Sequence, residues 1–452
     1  MNTKWWLFAL IALVAFAPDA FGQKRKKRRG KAAVETVAKF DLHLERNPVF
    51  KKAFTGFALY DPDKGKMLYE YNSDKYFTPA SNTKILTLFT ALSILQDSVP
   101  ALKWSRQGDL TIIWGTGDPS FLNPHLQQNP AVFEFLKNAP GYLLFCPANY
   151  RDQRYGSGWM WSDYPYYYQA EKSPFPVYSN VAHFSLDSLT GEIQVMPAFL
   201  KNNLAEGLTF DEEEPVTREE FSNAFVFNPD AIKGDQFEAH VPFHFSPEFF
   251  VKMLSDTLHR PVGVLNANMM PPPDAATIYS LHVDSLYRLM MQESDNFIAE
   301  QMLLLCSNQV FGEMNTRKMI HYVKDRLFLD LPDEPQWVDG SGLSRYNLFT
   351  PRSVVAVLDK IRRIVPQDRL LGIFPAGGVS GTIEDWYGNG IQPYVFAKTG
   401  TLRNNHCLSG YLLTRSGRLL IFSFMHNNYT GSSTAYKREM EKVLRKIRIE
   451  VQ

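Results

Sequence analysis

The chain has 452 residues with 45% apolar and 14% aromatic side chains, a composition that builds a packed core and excludes a disordered protein. Its length exceeds one ordinary core, so two domains, or one domain with a large insertion, are expected. The formal net charge of +1 is unevenly spread: residues 1–31 carry eight Lys/Arg and one acid, leaving 40 basic against 46 acidic side chains elsewhere, which excludes the basic face of a nucleic-acid binder.

Lys4 precedes an apolar run from Trp5 to Phe16, and Ala20-Phe21-Gly22 is a small-residue cleavage site. Residues 1–22 therefore read as a cleaved export signal, too short to span a bilayer comfortably, and the mature protein as periplasmic. Residues 23–36 form a basic tail whose run from Lys24 to Lys31 reads as solvated and disordered, with contact to an anionic membrane surface as the secondary reading. Next, "FTGFALYD" and "MLYEYN" alternate around the turn "PDKGK", a hairpin signal. The stretch from Tyr76 to Leu95, "YFTPASNTKILTLFTALSIL", follows as a helix that is apolar all round, the pattern of a buried element.

From about Leu102 the texture changes to short strands and aromatic-rich loops, so residues 102–272 read as an inserted β-rich domain. Within it, His240 and His244 in "FEAHVPFHF" read as packing or surface residues of a strand, because no acidic or thiol partner is near in sequence. Helical texture returns at "SLYRLMMQESDNFIAEQMLLLCS", and "PYVFAKTGTL", "HCLSGYLLT" and "RLLIFSFMHN" are three strands at hairpin spacing before an amphipathic closing helix. The expected architecture is α+β: an antiparallel sheet flanked by helices, from residues 37–101 and 273–452, interrupted by the insertion. Cys146, Cys306 and Cys407 are few and odd in number, and with no Cys-x-x-Cys pair or His-Glu-x-x-His helix no metal or other cofactor is expected.

Three short motifs carry chemistry, each occurring once: Ser81-Asn82-Thr83-Lys84, Ser294-Asp295-Asn296 and Lys398-Thr399-Gly400. One alone is weak; the three in this order form the signature set of serine β-lactamases and penicillin-binding proteins. Ser81 at a helix start meets backbone N–H groups that favour a developing oxyanion. Lys84 lies one turn along on the same face, and burial lowers its pKa so that a neutral amine can serve as base. On a strand, Lys398 and Thr399 can bind a carboxylate while Gly400 lets a substrate backbone approach the edge. The plainer readings are helix capping for Ser81, Ser294 and Asn296 and a solvent-seeking Lys84.

At these residues the chain resembles the class C low-molecular-mass penicillin-binding proteins, the D-alanyl-D-alanine carboxypeptidases and endopeptidases of peptidoglycan. "GDLTIIWGTGDPSF", "YGSGWMWSDYPYYYQA", "VDGSGLSRYNLFTP" and "FPAGGVSGTIEDW" extend the resemblance from about Phe40 to the C-terminus. It implies a penicillin-binding, β-lactamase-like transpeptidase fold, peptides ending in D-Ala-D-Ala as substrates and β-lactams as inhibitors. It also implies Ser81 as acylated nucleophile, Lys84 as its base and Ser294 as proton donor to the leaving D-alanine. Asn296 would hold the substrate amide, Lys398 and Thr399 the terminal carboxylate, and the N–H groups of Ser81 and Thr401 the oxyanion. A serine β-lactamase and a catalytically silent wall-binding protein on the same fold are the alternatives. Against the first stand the large insertion and the lack of a family-like Glu loop; against the second, the presence of every motif residue.

Overall fold

The hairpin expected after residue 50 pairs Phe54–Asp61 with Lys66–Tyr71 in antiparallel register. This computed structural model describes residues 41–451 apart from 188–189, 210–213, 233–236, 389 and 391, so the signal peptide and basic tail lie outside the described residues. Phe54–Asp61 also pairs with Leu419–Asn427, last strand of the meander Val395–Leu402, Asn405–Leu413, Leu419–Asn427. The two ends of the chain thus close one five-stranded antiparallel sheet, with Val395–Leu402 at its edge.

Leu419–Asn427 is buried along its whole length because both faces of the sheet are covered. Ile421 and Met425 join the core formed with the helices Lys84–Ile94, Asn296–Phe311 and Pro351–Ile364. On the alternate face, the Phe424 ring lies 4.8 Å from that of His426, which in turn lies 5.1 Å from Tyr436 of the closing helix Thr434–Glu450. The α+β architecture is the one expected, and the apolar helix after Ser81 is its buried centre.

The second lobe has its own core, in which Phe145, Phe175, Phe184, Phe225 and Phe250 pack with aliphatic side chains. Its main sheet orders Val262–Val264, Tyr142–Phe145, Leu110–Gly115, Ser98–Gln107 and Ala276–His282. Ser98–Gln107 and Ala276–His282 pair antiparallel, so this sheet starts a few residues before 102 and closes with chain from beyond residue 272. Two further three-stranded sheets lie between. Fully buried Gln301 ties this lobe to the helix Asn296–Phe311: its amide nitrogen donates to the carbonyls of Gly117 and Ser173, each at 2.9 Å.

Candidate active site

The sequence placed Ser81 at the start of the apolar helix. The structure separates them by one turn: Ser81 occupies the 3-10 turn Ala80–Thr83 and the α-helix proper begins at Lys84. Ser81 makes no capping hydrogen bond there, so its hydroxyl is left for Lys84. The turn is held from below by fully buried Asn82, whose side chain donates to the Lys398 carbonyl at 2.8 Å and accepts from Ser409 Oγ at 2.6 Å. It is held from the side by the loop around Gly342, where a Cβ would stand 2.0 Å from the Ala80 carbonyl oxygen.

Lys84 is fully buried and its ammonium donates to three acceptors: Ser81 Oγ at 3.0 Å, Asn296 Oδ1 at 2.6 Å and the Ser341 carbonyl at 2.7 Å. Burial pulls its pKa down to about 8, against an upward pull from Asp295, Asp339 and Glu300. Nearly one Lys84 in ten is then a neutral amine at pH 7, against about one in three thousand for an ordinary lysine. The resting contacts suit an ammonium; on losing a proton the amine can accept from Ser81 instead.

Ser294 and Asn296 lie at the break between the helices Val283–Gln292 and Asn296–Phe311. The capping role falls to their neighbour Asp295, which accepts from the Ile298 N–H at 2.8 Å, leaving the flanking side chains to face the cleft. Ser294 holds a left-handed φ of 62°, strain of the kind found where a side chain must be aimed. The Asn296 amide is engaged at both ends, taking Lys84 on its oxygen and donating to the Tyr168 carbonyl at 2.9 Å.

On the edge strand, Ala397 N–H bonds outward to the Pro375 carbonyl at 3.0 Å, so by alternation the N–H groups of Thr399 and Thr401 turn to the same free edge. The Thr399 hydroxyl meets Thr382 Oγ1 at 2.7 Å, and Thr401 Oγ1 meets His406 Nδ1 at 2.9 Å. Lys398 points the other way: it is fully buried, donates to the Thr399 carbonyl at 3.1 Å, and is driven well below an ordinary lysine pKa by burial and then by Lys84. At Gly400 a Cβ would stand 2.4 Å from the Pro79 carbonyl oxygen and 3.0 Å from the Ser81 nitrogen, so the missing side chain lets the turn that carries Ser81 pack against the strand.

Two cavities meet at Ser81 and Ser294. The larger, about 520 Å3, is lined by Asn296, Tyr167, Tyr168, His125, His183 and His240. The smaller, about 240 Å3, is lined by Thr382, Thr399, Thr401, His406 and Lys437. His240 thus stands in the cleft wall, its Nδ1 2.7 Å from that of its cross-strand partner His183. His244 finds the acidic partner its sequence neighbourhood lacked, with Nδ1 3.0 Å from buried Glu171.

Sequence reading missed the carbonyls of Ser341 and Tyr168, and the carboxylates behind them. Asp339 gathers the N–H groups of Gly342 and Ser344 at 2.9 and 2.6 Å and Trp159 Nε1 at 2.9 Å. Glu300 accepts from the Ser341 N–H at 2.7 Å, which aims the Ser341 carbonyl at Lys84, and burial with Asp339 nearby raises its pKa. The one signal available was the stretch "VDGSGLSRYN", which supplies Asp339 and Ser341.

Comparison with known proteins identifies the family and the fold. The model of the D-Ala-D-Ala carboxypeptidase 3 (S13) family matches residues 36–205 and 257–448. A Haemophilus influenzae protein named D-alanyl-D-alanine carboxypeptidase DacB is 23% identical over 414 residues, 83% of this chain and 85% of its own. The D-alanyl-D-alanine carboxypeptidase of Actinomadura sp. strain R39 is 25% identical over 452 residues, 89% of this chain and 82% of its own. Among solved structures, penicillin binding protein 4 of Haemophilus influenzae superposes with a TM-score of 0.69 at 18% identity, covering 88% of this chain and 97% of that one, a likeness of fold.

Proposed function

Because the chain belongs to the D-Ala-D-Ala carboxypeptidase 3 (S13) family, we propose that it is a serine-type D-alanyl-D-alanine carboxypeptidase or endopeptidase of peptidoglycan stem peptides, acting through an acyl-enzyme at Ser81. The carrying observation is the fully buried Lys84 amine 3.0 Å from Ser81 Oγ, with its pKa lowered to about 8. Neutral Lys84 takes the Ser81 proton as Oγ attacks the carbonyl carbon of the penultimate D-alanine. The tetrahedral oxyanion is held by the N–H groups of Ser81 and Thr401, each such donor contributing about 3 to 4 kcal/mol in comparable reactions. The C–N bond then breaks, Ser294 passes a proton to the leaving amine, and water hydrolyses the ester to free Ser81.

Three acceptors around Lys84 and an Asn296 held by Tyr168 support this division of labour, because they fix the amine where a serine proton must go. With the Thr401 N–H turned to the oxyanion, the hydroxyls of Thr399 and Thr401 remain for the substrate's terminal carboxylate. β-Lactams, which present an acyl carbon and a carboxylate in similar relation, are expected inhibitors. The apolar run after Lys4 supports export to the periplasm, and among the described residues no helix is long and apolar enough to cross a membrane. A mature protein beginning at Gln23 is the corresponding expectation. Salt-sensitive binding of that protein to anionic vesicles would support surface contact through Lys24 to Lys31.

The deciding experiment is intact mass of the mature protein mixed with benzylpenicillin, followed over time beside Ser81→Ala. A stable one-to-one adduct absent from the variant is expected. An adduct in Ser81→Ala would overturn the assignment, and a fleeting one with continuous penicilloate release would make the protein a β-lactamase.

A further inference from the structure

The smaller cavity contains the site's one cation that is free to meet an anion among the described residues. Lys398 does not line it, because its ammonium is fully buried and bound to the carbonyl of Thr399. His406 lines it, yet burial, then Lys437, press its pKa to about 3, so its ring is neutral at any physiological pH. Lys437 lines it beside Ser294, Thr382, Thr399 and Thr401, half-buried, with Nζ 5.3 Å from the centroid of the Trp386 ring.

Lys442, Arg445 and Lys446 each pair with a glutamate of the closing helix, whereas no carboxylate lies within 4.0 Å of Lys437, Arg438 or Arg448 among the described residues. Of those three, Lys437 is the one that lines this cavity. It also sits in the first turn after Ser433, where the helix dipole is already positive and no acidic side chain compensates. A lysine placed there, held over an aromatic face and with no carboxylate beside it, gains a charge-assisted hydrogen bond when an anion enters. The hydroxyls of Thr399 and Thr401 supply further donors on the same wall.

We propose that Lys437 is a specificity-determining residue: its ammonium receives the free α-carboxylate adjoining the leaving amine, with Thr399 and Thr401. This rests on the acyl-enzyme reading of Ser81 and adds a residue outside the three motifs. Lys398 then acts behind the strand, through its field and its hold on the Thr399 carbonyl, while Lys437 makes the contact.

The test compares kcat/KM for an N-acylated peptide ending in D-Ala-D-Ala with that for the same peptide amidated at its C-terminus, in wild type, Lys437→Gln and Lys437→Arg. The glutamine variant should lose about 10- to 100-fold on the free acid through KM, the range of a charge-assisted hydrogen bond, and little on the amide. The arginine variant should recover most of that loss, which a merely packing role would not require. Equal losses on both peptides, or no loss on the free acid, would overturn the role of Lys437. Failure of the acyl-enzyme reading shows separately, as turnover that survives in Ser81→Ala.

Discussion

The two lobes bury charge in opposite ways. In the inserted lobe, Glu171 is fully buried but surrounded: Arg154 at 3.3 Å, His244 at 3.0 Å, Tyr155 at 3.2 Å and the Phe245 N–H at 3.0 Å, with fully buried Arg218 at 4.0 Å. Around Ser81, Lys84 and Lys398 are as deeply buried, yet among the described residues neither has a carboxylate within 4.0 Å, and their donors go to hydroxyl, amide and carbonyl oxygens. A compensated buried charge fixes structure; an uncompensated one keeps a shifted pKa and stands ready to change protonation state. Burial lowers the pKa of both lysines, and it lowers that of Arg218 as well, where Tyr155 and Glu171 oppose it.

Exchanging charge for an apolar or neutral group should therefore act on different observables in the two lobes. Lys84→Met removes the base and should slow acylation by benzylpenicillin on the order of 10²–10⁴-fold, far more than its effect on melting temperature, where relief of a buried charge is set against the loss of a donor to Asn296 and to the Ser341 carbonyl. In wild type the acylation rate should rise with pH through about 8 and then level, since it is the neutral amine that accepts the proton. A rate that is flat from pH 6 to 9 would contradict Lys84 as the base. Glu171→Gln should do the reverse: it strands Arg218 without its carboxylate and should cost about 3–5 kcal/mol in urea unfolding, while the folded fraction still acylates.

Gly400→Ala tests the seam between strand and nucleophile turn. A methyl group 2.4 Å from the Pro79 carbonyl oxygen must push the turn away, with an overpacking cost of about 1–3 kcal/mol and an acylation rate that falls along with the melting temperature. If instead only reaction with peptides slowed and benzylpenicillin acylated normally, Gly400 would serve substrate approach.

What was legible in the sequence follows the same division. The strands Val395–Leu402, Asn405–Leu413 and Leu419–Asn427 and the spacing of Ser81 to Lys84 are carried by residue type and periodicity, which local sequence displays. The third and fourth contacts of the site are backbone carbonyls, of Ser341 and Tyr168, and any residue type supplies a carbonyl. Lys437 was hidden for another reason: in an amphipathic helix a lysine on the polar face looks solvated until the fold brings Trp386 and the edge strand beside it. The split of the nucleophile helix into a 3-10 turn and an α-helix is likewise a tertiary effect, imposed by Asn82 and by the loop at Gly342 packing on either side of Ser81.

The finest expected effect concerns Glu300, the carboxylate behind the Ser341 carbonyl. Its negative charge is one of three that hold the Lys84 pKa up against burial, so its loss should move the acid limb of the acylation profile to lower pH. The shift should be small because Glu300 is itself raised by burial and by Asp339, and so is partly protonated where the enzyme works. Glu300→Gln mimics that protonated form, and its amide oxygen can still accept from the Ser341 N–H that now bonds Oε1 at 2.7 Å. Glu300→Ala removes the acceptor as well, leaving that N–H buried without a partner and the Ser341 carbonyl unaimed. The alanine variant should therefore lose acylation rate at every pH, whereas the glutamine variant shifts the limb and keeps the plateau. Equal pH profiles for wild type and Glu300→Gln would mean that Glu300 is neutral throughout, and that Asp295 and Asp339 alone carry the opposing charge.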